Sequence, residues 1–211
     1  MSREAILNKV RTALGRHAGQ AIAEPPAVRL RMAEVDTETR IANMLRAVEA
    51  LAGKTHRAAT GADARAYVGA VLDGKTAVAS NAPYLRECGI LQLAGVQSGF
   101  TDAAELRALC ATVDVGITSA DYTLADTGTL VMLASPAEAR LISLLPPMHI
   151  AVVPKERVLP GLDELLTILP LPAEQTSSMV LITGPSRTAD IEQILVRGVH
   201  GPGEIHVVVV G

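Results

Sequence analysis

Short apolar runs alternate with amphipathic helical segments along most of this chain. The runs consist mainly of Val, Leu, Ile, Ala and Met, and they lie at residues 55–59, 76–80, 90–93, 113–117, 130–133, 150–153, 179–183 and 205–210. Strands that are buried on both faces have this nearly continuous apolar composition, and strands that alternate with helices usually pair in parallel beneath them. We therefore predict an α/β fold with a mostly parallel sheet and helices on both faces.

The helical segments are recognised by apolar residues at helical spacing. The clearest stripe runs from Ile41 to Leu51 and ends at Gly53. Asp102 and Glu105 have the spacing of a capping box at the start of another helix. Helices are also predicted at residues 63–72, 83–87, 103–112, 162–169 and 191–195.

Residues 1–35 differ from the remainder of the chain. Ile6, Val10 and Leu14 share one face of a short helix, and Pro25-Pro26 follows in a stretch with little periodicity. We predict an N-terminal helical extension with a linker over residues 1–35 and one α/β domain over residues 36–211.

The composition excludes several classes of partner. Aromatic residues make up only 2% of the chain and the formal net charge is −3, so binding to nucleic acid is not expected. No uncharged run approaches the roughly 18 residues of a membrane span, and the N-terminus lacks the apolar segment of a secretory signal. Cys88 and Cys110 form no Cys-x-x-Cys pair, so we expect buried thiols in a reducing cytosol and no metal centre.

An apolar strand runs directly into polar residues at 180–190, Val-Leu-Ile-Thr-Gly-Pro-Ser-Arg-Thr-Ala-Asp. If Ser186 opens a helix, the N–H groups at the helix start and the Arg187 guanidinium form a typical anion site. A plain strand-to-helix turn with Ser and Thr caps accounts for the same residues. The anion-site hypothesis assigns binding to Gly184, Ser186, Arg187, Thr188 and Asp190.

A second polar segment, Asp126-Thr127-Gly128-Thr129, combines a glycine that permits close backbone approach with two hydroxyls that can bond an anion. The same residues suit a turn that opens the next strand. Ligands of open α/β sheets lie beyond the carboxyl ends of strands, where Asp121 and Ser186 each follow an apolar run. If those strands are neighbours, their loops and Asp126–Thr129 line one cleft, with Arg187 as its main anion contact.

Two further side chains are candidates for this site. His200 is the best placed histidine for proton transfer, although hydrogen bonds that hold its loop are an equal explanation. Arg140 is either a second anion contact or an ion-pair partner of a carboxylate such as Glu138. We expect His149 to be packed and hydrogen-bonded, and His206 to point to the face away from the site.

Four separated motifs, in the same order, resemble the lactate-utilisation protein C family, a LUD-domain family. Two are the segments at 180–190 and 198–202, the latter Gly-Val-His-Gly-Pro. The others are Gly-Ile-Thr-Ser-Ala-Asp-Tyr-Thr-Leu-Ala-Asp-Thr-Gly-Thr-Leu at 116–130 and Arg-Leu-Ile-Ser-Leu-Leu-Pro-Pro-Met-His at 140–149. The resemblance is close over the C-terminal half and extends only to the pattern of elements over residues 1–99.

The resemblance implies a cytoplasmic bacterial protein needed for oxidising L-lactate to pyruvate, with a fold similar to the ribose-phosphate isomerase and CoA-transferase group. It implies iron–sulfur proteins of lactate oxidation as partners, so iron–sulfur clusters are expected in those partners and no cofactor is expected in this chain. A small anionic metabolite or cofactor is expected in the cleft.

Two alternatives remain open on the sequence. One is a stand-alone sugar-phosphate isomerase-like or acyl-CoA transferase-like enzyme that uses Asp121, Asp126, Asp190 or His200 in acid–base steps. The other is a non-catalytic assembly subunit.

Overall fold

The computed structural model describes residues 2–17, 19–20, 34–188 and 196–211. The chain divides into two compact units, Met1–Arg31 and Met32–Gly211. No helix within the described ranges is long and apolar enough to cross a membrane.

The first unit contains the helix α1, Arg3–Ala13. It begins after Ser2, whose hydroxyl accepts a hydrogen bond from the backbone N–H of Ala5 and so satisfies one of the free donors of the first turn. This confirms the predicted N-terminal helix. Most of the predicted linker lies outside the described residues.

The second unit is built of short strands and helices. The strands are β1 (Lys54–Ala58), β2 (Ala77–Ala79), β3 (Val96–Gln97), β4 (Val115–Ser119), β5 (Tyr122–Leu124), β6 (Thr129–Leu133), β7 (Met148–Pro154), β8 (Val158–Leu159), β9 (Met179–Ile182), β10 (Arg187–Thr188), β11 (Val196–Arg197) and β12 (Glu204–Val210). The helices are α2 (Thr37–Ala50), α3 (Gly61–Leu72), α4 (Pro83–Glu87), α5 (Ala103–Cys110), α6 (Leu141–Leu144), α7 (Leu162–Ile168) and α8 (Pro172–Gln175).

Six strands form a central sheet in the order β1-β12-β7-β4-β2-β3, and every neighbouring pair is parallel. The strands in the middle are almost entirely buried, as their continuous apolar composition requires. This confirms the predicted α/β class with a mostly parallel sheet. The finer expectation, a fold of the ribose-phosphate isomerase and CoA-transferase group, stays a prediction.

Helices cover both faces of the central sheet. On one face, α3 and α4 pack against β4, β7 and β12 through side chains that include Val68 and Leu85. On the other face, α2 packs against β7 and β12 through Met44 and Val48, while α5 packs against β2 through Leu106. The α2 contact is the predicted apolar stripe.

The start of α5 agrees with the capping residue predicted from the sequence, and α2 begins with a cap of the same kind. The Asp102 carboxylate accepts from the backbone N–H groups of Ala104 and Glu105, both at 2.9 Å, at the start of α5. The Asp36 carboxylate accepts from the Thr39 N–H at 2.9 Å at the start of α2. Each bond satisfies a donor that the first helical turn leaves free.

Two of the predicted strands belong to a second sheet. The strands β6 and β9 lie in a four-stranded sheet of order β8-β5-β6-β9, in which β6 is antiparallel to both of its neighbours. The apolar runs at 130–133 and 179–183 therefore form strands outside the parallel sheet. The turn between β5 and β6 is too short for the crossover that a parallel pair needs, so these strands fold back as a hairpin.

Two local predictions also differ from the structure. The apolar run at 90–93 is a 3₁₀ turn, Ile90–Gln92, and not a strand. Ser186 does not open a helix, because the next residues form β10, which pairs antiparallel with β11. The predicted helix at 191–195 lies outside the described residues.

Candidate functional site

Polar side chains gather at the carboxyl ends of the neighbouring strands β2 and β4. Ser80 follows β2, Ser119 ends β4, and Asp121 lies just beyond. Glu138, from the segment after β6, contacts this group: the Ser80 hydroxyl donates to its Oε2 at 2.8 Å, and the Ser119 backbone also bonds its carboxyl group. Glu138 is only 6% exposed, so its carboxyl is removed from water.

The environment of Glu138 favours the protonated acid. Burial is the main cause that raises its pKa to about 8, and the nearby Asp121 raises it further, against the hydrogen bonds from Ser80 and Ser119. Among the described residues, no group bonds its buried Oε1. Glu138 is therefore a buried carboxyl with its pKa raised to about 8, and its Oε1 makes no hydrogen bond to the described residues.

Asp121 is the second carboxyl of this cluster. Burial raises its pKa, while the Leu133 backbone N–H, which donates to Oδ2 at 2.7 Å, and the charge of Arg157 act in the opposite direction. Two carboxyls with different partners can hold different protonation states at one pH, which is the arrangement that acid–base sites use.

The segment that carries Glu138 also carries Arg140. The Glu138 N–H donates to the Ser135 hydroxyl at 3.0 Å, which fixes the turn before α6. The Arg140 guanidinium donates to the Ser178 hydroxyl at 3.2 Å, at the start of β9. A cavity of about 20 Å³ beside this turn, lined in part by Asn81 and Phe100, has room for one water molecule.

The second predicted segment forms a chain of hydroxyls at the other end of the β5–β6 hairpin. Thr127 Oγ1 lies 3.2 Å from Asp126 Oδ1 and 2.7 Å from Thr129 Oγ1, which in turn lies 2.8 Å from Thr183 Oγ1. The structure thus brings the Asp126–Thr129 turn and the end of β9 together, although 54 residues separate Thr129 from Thr183.

Two glycines allow these turns to rest on α2. Gly128 has a φ of +67° and Gly184 a φ of +80°, a region that glycine occupies without strain. A Cβ at Gly128 would lie 2.7 Å from the Val48 nitrogen, and one at Gly184 would lie 2.9 Å from the Leu51 Cβ. The predicted close approach is real, but it is an approach to a helix of the same chain.

The other predicted residues of the 184–190 segment make local contacts. The Arg187 guanidinium donates to the Leu51 carbonyl at the end of α2, where a cation complements the helix dipole. Thr188 pairs with Val196 in the β10–β11 ladder. Asp190 lies outside the described residues.

Ser186 and His200 hold one loop together. The Ser186 hydroxyl accepts from the His200 backbone N–H at 3.3 Å, and the Ser186 N–H donates to the Pro202 carbonyl at 2.8 Å. His200 is exposed. These contacts support the explanation that the two residues hold the loop. Their role in anion binding or proton transfer stays a prediction.

The expected single cleft is divided into two places. Strands β4 and β9 are not neighbours, and β9 ends beside the Asp126 turn, whereas Asp121 lies at the opposite end of the β5–β6 hairpin. Arg140, which bonds Ser178 at the start of β9, also lies away from Arg187. The expectation that ligands lie beyond the carboxyl ends of strands does not apply to β9, because neighbouring strands of an antiparallel sheet end at opposite edges.

Two histidines lie where the sequence predicts. His149 is fully buried, its Nε2 lies 2.8 Å from Thr118 Oγ1, and burial lowers its pKa to about 4. His206 Nδ1 lies 2.9 Å from the Tyr67 hydroxyl of α3, on the face opposite α2, and its Nε2 lies 2.8 Å from Glu204 Oε1. Both histidines are packed and hydrogen-bonded.

From the sequence, Glu138 is predicted only as an ion-pair partner for Arg140. The available signal is a single acid between apolar runs, next to the Ser135-Pro136 turn and inside a family-like motif. Ser80, a small residue after an apolar run, carries no signal by itself. Its part depends on the contact with Glu138, 58 residues away.

The fold and the two strand-end clusters define an α/β protein with a parallel central sheet, a second mostly antiparallel sheet and a buried acid at the carboxyl edge. The chain belongs to the LUD domain family, whose model matches residues 41–210. A solved structure, a DUF162 family protein from Deinococcus radiodurans, is similar over 84% of this chain and all of that one, with a TM-score of 0.65 and 16% identity. That likeness shows the shared fold.

Three relatives are each named Lactate utilization protein C. The protein of Halalkalibacterium halodurans is 47% identical over 93 residues, which are 42% of this chain and 40% of that protein. The protein of Exiguobacterium sp. is 40% identical over 108 residues, 49% of this chain and 47% of that protein. The protein of Macrococcus caseolyticus is 43% identical over 100 residues, 42% of this chain and 40% of that protein. The matched region thus spans less than half the length of these relatives.

Proposed function

We propose that this protein acts in the cytoplasm as a component of a system that oxidises L-lactate to pyruvate. The names of its relatives support the pathway. The observation that carries the molecular role is the buried Glu138 carboxyl at the carboxyl edge of the central sheet, with a pKa of about 8 and an oxygen that no described residue bonds. Ligands of parallel α/β sheets lie at that edge.

Glu138 suits a site for a small carboxylate metabolite in two ways. Its protonated form does not repel an anion and can donate a hydrogen bond to it. An ionised glutamate would repel the anion and has no proton to donate. Arg140, on the same segment, supplies a positive charge close by in the chain. The proposed site thus combines a neutral acid with the hydroxyl of Ser80, and Arg140 lies two residues further along the same segment.

The oxidation of lactate to pyruvate releases two electrons and two protons. The proposed role of this chain concerns the protons and not the electrons. Its two cysteines, Cys88 and Cys110, are buried, and burial raises the pKa of both thiols. Thiols held in this state are poor ligands, because a metal binds the thiolate. We therefore propose that the electrons pass to iron–sulfur proteins that act as partners.

Growth on L-lactate tests this role. A strain that lacks the gene is complemented with the wild-type chain, with Glu138→Gln, or with Glu164→Gln, a control at an exposed glutamate of α7. We expect wild type and the control to restore growth on L-lactate and Glu138→Gln to fail, since the oxidation releases protons and an amide, although neutral and a hydrogen-bond donor, cannot take up or release one. Normal growth of the deletion strain, or full complementation by Glu138→Gln, would contradict the proposal.

A further inference from the structure

A groove of about 520 Å³ runs along α2, away from the Glu138 cluster. From the helix, Arg40, Asn43 and Arg46 line it, and from the facing loops Asp126 and Pro160 do so. Positions three residues apart lie on one side of a helix, so the three polar side chains of α2 form a row. The volume lies within the range of small-molecule sites.

Backbone carbonyls hold Arg40 in this groove, and no carboxylate of the described residues pairs with it. Its Nη1 and Nη2 donate to the carbonyls of Val158 and Val35, each at 3.3 Å. Its Nε is buried and makes no hydrogen bond to the described residues. Carbonyl acceptors hold the guanidinium in position but leave its full positive charge available.

Arg46 adds a second positive charge to the same row. It follows Arg40 by six residues, which is roughly 9 Å along a helix axis, and its side chain is exposed. The two glutamates of α2 bond elsewhere: Glu38 pairs with Arg57, and Glu49 accepts from the Thr55 hydroxyl. Among the described residues, no ion pair includes either arginine of the groove.

Asp126 faces this row from the β5–β6 turn. It is the acidic residue among the side chains that line the groove, and its Oδ1 accepts from the Thr127 hydroxyl at 3.2 Å. A carboxylate accepts hydrogen bonds and repels anions, so its natural partner in a ligand is a hydroxyl group. The groove therefore offers charge for an anion on one side and an acceptor for hydroxyls on the other.

We propose that this groove binds a phosphorylated ligand that carries hydroxyl groups, such as a sugar phosphate or a nucleotide. Two guanidiniums and an amide match the charge and the several acceptor oxygens of a phosphate. The groove is much larger than a three-carbon acid needs, so L-lactate is not its ligand. The site is separate from the Glu138 cluster and extends the activity proposed above.

Calorimetric titration of the full chain tests the site with four probes: ribose 5-phosphate, AMP, inorganic phosphate and L-lactate. We expect ribose 5-phosphate or AMP to bind more tightly than inorganic phosphate, and the stronger of the two identifies the ligand class. Arg46→Gln should weaken that binding about ten-fold or more. The control Arg86→Gln, at an exposed arginine of α4, should leave it unchanged.

Asp126→Asn tests whether the carboxylate of the groove recognises the hydroxyl groups of the ligand. It should reduce the preference for the hydroxyl-bearing ligand over inorganic phosphate, because an amide is a poorer acceptor than a carboxylate. Absence of binding by both phosphorylated probes, binding no tighter than that of inorganic phosphate, or unchanged binding by Arg46→Gln would overturn the proposal. These results do not depend on growth on L-lactate, so the groove and the Glu138 role can fail separately.

Discussion

Glu138 shows how a single carboxyl acquires a pKa near neutrality in this protein. Among the residues that the structure describes, its neighbours supply hydrogen bonds from Ser80 and Ser119 but no cation that balances the loss of water. An acid in this state is neutral in the folded chain at physiological pH, although it would be ionised in water. Its protonation is a property of the fold and not of the residue type.

The dependence of stability on pH tests this state. The pKa of Glu138 is about 8 in the folded chain against an ordinary value of 4.5, so the folded chain holds a proton that the unfolded chain releases. The contribution of this group to stability is therefore greatest below pH 4.5, falls as the pH rises, and levels off above pH 8. Between these two values the slope is about 1.4 kcal/mol per pH unit.

Glu138→Gln removes this slope, because the amide resembles the protonated acid and does not titrate. Urea unfolding of wild type and variant at several pH values should show the wild type losing stability relative to the variant between pH 5 and 8, the interval set by these two pKa values. The control Glu164→Gln should follow the wild type. Parallel curves for wild type and Glu138→Gln would show that the acid is not protonated in the folded chain.

At the scale of elements, α2 organises one end of the molecule. The Asp126 turn and the end of β9 both rest on it, and Arg187 bonds the Leu51 carbonyl at its end. Gly128 is the closest of these contacts, since a Cβ there would meet the backbone of the helix at Val48. This packing also forms one wall of the groove that Asp126 shares with α2.

Gly128→Ala should therefore destabilise the protein more than an alanine at another glycine with positive φ. Gly74, with a φ of +82° and open space where a Cβ would lie, is the matched control. We expect a loss of about 1 kcal/mol in the free energy of unfolding for Gly74→Ala and about 2–4 kcal/mol for Gly128→Ala. Equal losses in urea unfolding would mean that the turn does not rest on the helix.

The sequence predicts most elements because their signals are local. The apolar stripe of α2 and the cap at Asp102 depend on neighbouring residues and are confirmed. The sheet to which β6 and β9 belong cannot be predicted in this way, because apolar residues indicate burial but not the pairing partner. The sites depend on contacts such as Thr129 to Thr183 and Ser80 to Glu138, which only the folded chain establishes.

In the second unit as a whole, a pair of acids and a pair of arginines lie at two separate places. The carboxyl edge of the central sheet holds the Glu138 and Asp121 acids, and the groove along α2 holds Arg40 and Arg46. The β5–β6 hairpin lies between these two places. Asp121 precedes β5 at one end of the hairpin, and Asp126 lies in the turn at the other end.

Carbon-13 NMR of protein labelled at its glutamate carboxyl carbons measures the protonation of Glu138 itself. We predict one carboxyl signal that titrates near pH 8 in the wild type and is missing from Glu138→Gln. Titration of every glutamate near the ordinary value of 4.5 would show that Glu138 is ionised in the folded chain at neutral pH.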